Sequence, residues 1–118
     1  MTRKETGILG EKLARDFIKK RGYHIVETNY RCRYGEVDIV ARYKEYLVFI
    51  EVRTKSNRSF GTPEESITAA KKVRMRRVTE YYYQSHERLP ENWRIDLVAV
   101  ELNESGKPGR IEVVENAV

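Results

Sequence analysis

The chain has 118 residues and a formal net charge of +5 at pH 7. This length predicts one domain spanning residues 1–118 and leaves no room for a second. No run approaches the ~18 apolar residues of a membrane span, and the first residues lack the apolar stretch of a signal peptide. Because a lone cysteine, Cys32, cannot form an internal disulfide, we expect a cytoplasmic protein with no membrane partner. The positive charge favours a polyanionic partner such as nucleic acid.

A long amphipathic helix is predicted to open the chain. Thr2 and Glu5 have the spacing of a capping box, and Gly22 after "KKR" permits a left-handed helix end. Apolar residues recur at helical spacing on one face: Leu9, Leu13, Ala14, Phe17 and Ile18. The small residues Gly7 and Gly10 lie near this face, so we expect the helix to approach a sheet closely.

Strand patterns and one more long helix follow the first helix. Strands are predicted at residues 23–30, 36–43, 46–54, 94–102 and 110–114. The second helix is predicted to begin at "TPEE", with Thr62 as its cap and Pro63 in the first turn, and to end near Ser85. The order α-β-β-β-α-β-β indicates an α/β protein with a mixed sheet.

The second and third strands carry carboxylates in an otherwise apolar hairpin. A two-residue loop, Lys44–Glu45, would pair Tyr43 with Tyr46. Counting back along the hairpin then places Asp38 opposite Glu51, and Glu36 opposite Arg53. Directly opposed like charges destabilise a sheet, and burying them unpaired costs several kcal/mol.

A divalent cation would relieve this repulsion, since carboxylate oxygens are ligands that Mg²⁺ and Mn²⁺ prefer. Arg53 and Lys55 share the strand face of Glu51 and would stabilise charge that develops on a phosphate. The alternative is an ordinary ion pair between Asp38 and one of these cations. The residues alone leave both interpretations open.

Cations in the second helix suggest a nucleic-acid surface. Lys71 and Arg74 fall within its apolar arc, where a lysine is unusual unless it is paired. Lys71 would point either at the carboxylates or a scissile phosphate, or past the arc to water. Lys72 and Arg76 lie outside the arc and form either a phosphate-binding stripe or a solvated face.

Basic loops are predicted to flank the carboxylates. Arg31 and Arg33 accompany Tyr34 in "RCRYG", and Arg58 accompanies Phe60 in the loop after the third strand. Such loops can bind backbone phosphate and stack a base. Solvated loops without a ligand are the alternative.

Taken together, "GEVDIVA" and "FIEVRTK" resemble the D-x(n)-E-x-K core of the PD-(D/E)xK nucleases. Over nearly its full length, from "GILGEKLARDF" to "WRIDLVAV", the chain resembles the YraN family of small bacterial proteins. That family is similar to archaeal Holliday-junction resolvases. The resemblance implies a restriction-endonuclease-like α/β fold, with a mixed central sheet flanked by helices.

The resemblance also assigns roles to residues of the hairpin and the helices. Asp38 and Glu51 match the metal-binding carboxylates, for Mg²⁺ or Mn²⁺, and Glu11 and Glu36 match residues that assist. Lys71 matches a lysine of the second helix. Arg53 stands where the pattern usually has lysine, and Lys55, one pleat further on, could take its place.

The implied activity is metal-dependent cleavage of nucleic acid, with branched or otherwise structured DNA favoured over RNA. The first alternative is a nucleic-acid-binding module of the same fold that cleaves little or not at all. The second is a scaffold protein in which the carboxylates only make ion pairs. The oligomeric state is open, a homodimer included.

Overall fold

The computed structural model describes residues 1–56 and 61–118. Within these residues, two α-helices and five strands follow one another in the predicted order: α1 (Arg3–Lys20), β1 (His24–Cys32), β2 (Gly35–Tyr43), β3 (Tyr46–Lys55), α2 (Ala69–Ser85), β4 (Asn92–Leu102) and β5 (Pro108–Val114). The strands form one sheet in the order β1-β2-β3-β4-β5. Only β3 and β4 pair in parallel; the other neighbours are antiparallel. The predicted mixed α/β architecture is therefore confirmed.

Helix α1 begins and ends with the predicted local signals. The Thr2 hydroxyl accepts from the Glu5 backbone N–H, and the Glu5 carboxylate accepts from the Thr2 N–H at 2.9 Å. These two bonds satisfy N–H groups that have no partner within the helix. Gly22 follows the last turn with φ +94°, a conformation that favours glycine.

The helices cover opposite faces of the sheet. The α1-side core includes Ala14 and Ile18 of α1 with Ile39, Ile50 and further apolar strand residues. The α2-side core combines apolar residues of β2 and β3 with those of α2: Val37, Val40, Leu47, Phe49, Met75, Val78 and Tyr82. Neither helix is long and apolar enough to cross a membrane, within the described part of the chain.

Helix α2 starts later than predicted. Residues Glu64–Ser66 form a separate 3₁₀ turn, Ile67 is extended, and Thr68 caps the helix by accepting from the Lys71 N–H at 3.1 Å. The predicted start near Thr62 is therefore wrong, whereas the predicted end at Ser85 is confirmed. Arg53 of β3 binds Ser66, and Arg110 of β5 binds Glu64. These contacts hold the turn outside the helix.

Candidate active site

Strand β2 is irregular at Asp38. The β2–β3 register runs from Tyr43–Tyr46 to Ile39–Ile50, as predicted. Val37 and Val40 nevertheless pack in the same α2-side core, although residues three apart on a regular strand point to opposite faces. In β1, Asn29 lies across from this point with φ 54°. The regular pleat is therefore broken in both strands.

This irregularity aims the Asp38 side chain at β3. Its Oδ2 accepts a hydrogen bond from the Val52 backbone N–H at 2.8 Å, so the carboxylate takes a place that a strand carbonyl would otherwise occupy. The predicted β2–β3 register therefore does not continue unchanged to Asp38 and Glu51. The β2–β3 backbone pairs end at Ile39–Ile50, so the predicted facing positions Glu36 and Arg53 are not paired strand residues. The Glu36 side chain binds Arg31 of β1, and the Arg53 side chain binds Ser66.

Asp38 and Glu51 nonetheless form one buried acidic pair. Burial, a hydrogen bond with Glu51 and the negative charge of Glu51 raise the pKa of Asp38, and Glu11 adds to this effect. Glu51 is only 6% exposed, and its Oε2 lies 2.8 Å from the Lys71 Nζ of α2. The pair thus holds two carboxyl groups against one cation.

The pair lies in an open cleft of about 700 Å³, which we name the main cleft. Its walls come from the β2–β3 hairpin and from both helices. Helix α1 contributes its first turns, including Glu11; β2 contributes Glu36 and Asp38; and β3 contributes residues 51–55. Lys71 closes the α2 side. An extended polyanion could therefore reach the acidic pair from solvent.

The two cations that follow Glu51 differ in their surroundings. The Arg53 Nε donates to the Ser66 hydroxyl at 2.8 Å, and that hydroxyl donates to the Pro63 carbonyl. Lys55 lies two residues further along β3 and also lines the main cleft. Among the described contacts, neither cation forms an ion pair with Asp38. The predicted alternative of an ordinary Asp38–Arg53 or Asp38–Lys55 pair is therefore wrong.

A family model described as "Uncharacterised protein family UPF0102" matches residues 10–100. The chain belongs to this family. UPF0102 is the YraN family, so the family predicted from the sequence is confirmed. Similar relatives include UPF0102 proteins of Moorella thermoacetica (44% identical, over 99% of this chain and 98% of the relative) and Dehalococcoides mccartyi (47%, over 98% and 94%). Another, of Caldicellulosiruptor saccharolyticus, is 39% identical over 99% of both chains.

The cations predicted to contact nucleic acid lie in several places on this UPF0102 chain. Arg31 is exposed and bound to Glu36, and the Arg33 guanidinium lies 5.1 Å from the centroid of the Tyr34 ring. Arg74 and Arg76 are exposed on α2, and Lys72 is half-buried. The predictions for Arg58 and Phe60 lie outside the described residues.

Two site residues escaped the sequence analysis. Arg3 lines the main cleft together with Gly7 and Glu11, and the spacing of four residues would have placed it on their helix face. Ser66 orients Arg53. No local pattern signals this second contact, because it joins a 3₁₀ turn to a strand.

The acidic pair fits a divalent cation in composition. Across the described residues, no three acidic, histidine or cysteine side chains form a metal-binding group. Mg²⁺, however, commonly takes only one or two carboxylates and completes its shell with water and phosphate. Asp38 and Glu51 match that requirement, and a cation would offset the negative charge that now raises the pKa of Asp38. Glu11 and Glu36 lie in the wall of the same cleft.

Proposed function

We propose that this protein is a metal-dependent endonuclease that cleaves phosphodiester bonds in DNA, branched or otherwise structured DNA in particular. The observation that carries the proposal is the buried pair Asp38–Glu51, which lies in an open cleft beside cations of β3 and α2. Burial and Glu51 raise the pKa of Asp38 to about 9, so the folded protein loses stability at neutral pH by keeping this group protonated, and a divalent cation bound by the pair would relieve that cost.

In this proposal Asp38 and Glu51 hold Mg²⁺ or Mn²⁺, and Glu11 and Glu36 assist from the cleft wall. The bound ion would supply the activation of water for attack on phosphorus. Lys55 stabilises the charge that develops on the phosphoryl oxygens and contacts the attacking water. Arg53, oriented by Ser66, supplies a fixed positive charge.

Lys71 has a distinct part in the proposal. Its ammonium now compensates Glu51 at 2.8 Å. A cation bound by Glu51 would weaken that ion pair and leave Lys71 available to bind a phosphate oxygen. Lys71 thus acts as an outer cation that does not touch the attacked phosphorus.

The partner in this proposal is DNA, and the net charge of +5 supports a polyanion. We place the protein in the cytoplasm, because a free Cys32 suits a reducing compartment. The second candidate function is DNA binding without cleavage. It is favoured by one observation: the residue two positions after Glu51 is an arginine held by Ser66, and arginine cannot serve as a base.

A cleavage panel tests the proposal. Junction, flap, single-stranded and duplex DNA, with matched RNA, are incubated with Mg²⁺ or Mn²⁺. We expect cleavage of branched DNA by the native protein and none by Asp38→Asn. Binding of all these substrates without cleavage would overturn the endonuclease in favour of the second candidate.

Thermal unfolding tests the metal independently of activity. Mn²⁺ should raise the melting temperature of the native protein, because a ligand that binds only the folded state stabilises it. The double variant Asp38→Asn/Glu51→Gln should lose this rise while it remains folded, since the amides match the carboxyl groups in size and cannot ionise. An equal rise in both proteins would place the metal elsewhere.

A further inference from the structure

A second pocket lies beside the main cleft, between α2 and the start of β2. We name it the side pocket. Its volume is about 230 Å³, and Glu36, Glu51 and Lys71 line both the pocket and the main cleft. Any group in the side pocket would therefore lie next to a phosphate held at the acidic pair. The volume is below the ~300 Å³ at which sites for drug-sized molecules begin, so it suits a single ring system.

The side pocket combines apolar side chains with cations. Met75 and Val78 of α2 line it and are buried, and Arg74 lines it and is exposed. Gly35 of β2 lines it with bare backbone at φ +141°. A nucleobase has flat apolar faces and polar edges, and it is covalently joined to a phosphate. The apolar side chains of the pocket suit the faces of a base, Arg74 and the Gly35 backbone suit its edges, and the adjacent main cleft suits its phosphate.

Exposed aromatic surface continues from the side pocket. Tyr34 directly precedes Gly35 and is 36% exposed. Its ring centroid lies 5.7 Å from that of Tyr81, which follows Val78 by nearly one helical turn. Arg33 lies 5.1 Å from the Tyr34 ring centroid. An exposed aromatic ring beside a guanidinium provides a stacking surface for an unpaired base.

We propose that the side pocket accepts one unpaired nucleobase adjacent to the phosphate bound in the main cleft. The inference rests on the proposed function and narrows its substrate class. The DNA that binds best carries an unpaired nucleotide beside the phosphate that is cleaved, as at a branch point or a flap. A base inside an intact duplex cannot enter, because it must first leave the stack.

Three DNA ligands test the side pocket: a fully paired duplex, the same duplex with one extra unpaired adenosine, and that duplex with the adenine base removed. Affinity is measured by fluorescence anisotropy in Mn²⁺ on ligands with phosphorothioate linkages that resist cleavage, so that metal occupies the acidic pair and Lys71 is available to bind phosphate. We expect the unpaired adenosine to raise affinity roughly 5- to 100-fold, the range that stacking of one base supplies. Removal of the adenine should abolish this gain. The comparison uses the native protein and does not depend on the folding of a variant.

Substitutions test which residues cause the preference for the unpaired adenosine. Tyr34→Ala and Arg74→Ala should each reduce the ratio of affinities for the unpaired and paired ligands, and both residues are exposed. Trp93→Ala is the matched control, because Trp93 is an exposed aromatic at the start of β4, away from the pocket lining. The control should keep the native ratio. If Trp93→Ala lowers the ratio as much as Tyr34→Ala does, the assignment to the side pocket is wrong.

The outcomes separate this inference from the proposed function. Equal affinity for all three ligands, together with cleavage in Mn²⁺, would overturn the side pocket and leave the endonuclease standing. A preference that depends on the adenine, without any cleavage, would support the pocket and overturn the endonuclease. No binding to any ligand would overturn both.

Discussion

The surroundings of Asp38 shift its pKa in opposite directions. Burial and the neighbouring Glu51 raise its pKa from the ordinary 3.8 to about 9, and the Val52 N–H lowers it. Between these pH values the native state keeps a proton that the unfolded chain releases. The stabilisation that Asp38 contributes to the folded state is therefore greatest below about pH 4 and is lost as the pH rises toward 9.

The test is urea unfolding of metal-free protein over this pH range. Asp38→Asn cannot ionise at this position, so its free energy of unfolding should fall less with rising pH than that of the native protein. The difference between the two curves reports the titration of Asp38 together with its partner Glu51, since the two carboxyl groups interact. Parallel curves would show that Asp38 has the same pKa in the folded and unfolded states.

In the proposed function, Lys55 and Arg53 share the role of a single lysine in the nuclease pattern. Lys55→Ala should lower the cleavage rate by ~10²–10³, the usual cost of losing one charge-stabilising group, while DNA binding survives. Arg53→Lys should leave cleavage intact or raise it. Lys20→Ala, at the exposed C-terminal end of α1, is the control for the loss of one positive charge. Native rates in Lys55→Ala would reassign the role to Arg53 or Lys71.

At the scale of elements, α1 approaches β3 closely at one glycine. A Cβ added at Gly10 would lie 1.8 Å from the Thr54 Oγ1, whereas one added at Gly7 would meet nothing within 4 Å. Gly10→Ala should therefore lower the free energy of unfolding by about 1–3 kcal/mol through overpacking. Gly7→Ala, on the same helix, should raise it by about 0.5–1 kcal/mol, because alanine favours the helix. Chemical denaturation of the pair checks both signs, and equal effects would contradict the close approach.

Tertiary contacts also decide where α2 begins. Ser66 accepts from Arg53 of β3, and Glu64 binds the Arg110 guanidinium of β5 at 2.7 Å. Arg110 also contacts Glu101 and Glu112. These bonds keep Glu64–Ser66 on the sheet as a separate turn, so the capping pattern at Thr62 serves that turn and not the long helix.

At the scale of the whole molecule, the net charge predicts DNA binding that weakens steeply with salt, since each neutralised phosphate releases counterion. Replacing Lys72 and Arg76 of α2 with alanine should lower the slope of log affinity against log salt by about 2 if both contact phosphate. The control variant Lys19→Ala/Lys20→Ala also removes two positive charges, from the last turn of α1. It should change the slope less. If the two double variants have equal slopes, Lys72 and Arg76 form a solvated face that does not contact phosphate.

The sequence by itself determined the parts of this protein that depend on neighbouring residues. The capping box of α1, the register of the β2–β3 hairpin near its turn and the order of elements all follow from short-range bonding and periodicity. The family was also predictable, because its segments recur in order over most of the chain.

Only the tertiary structure decided how the acidic site is assembled. The break in β2 at Asp38 has its counterpart at Asn29 of β1, and the carboxylate then binds a backbone group of β3. Lys71 reaches Glu51 from α2, twenty residues further along the chain. The sequence left the direction of Lys71 open and carried no periodic signal for the bond from Val52 to Asp38, because both contacts depend on how the sheet and helices pack.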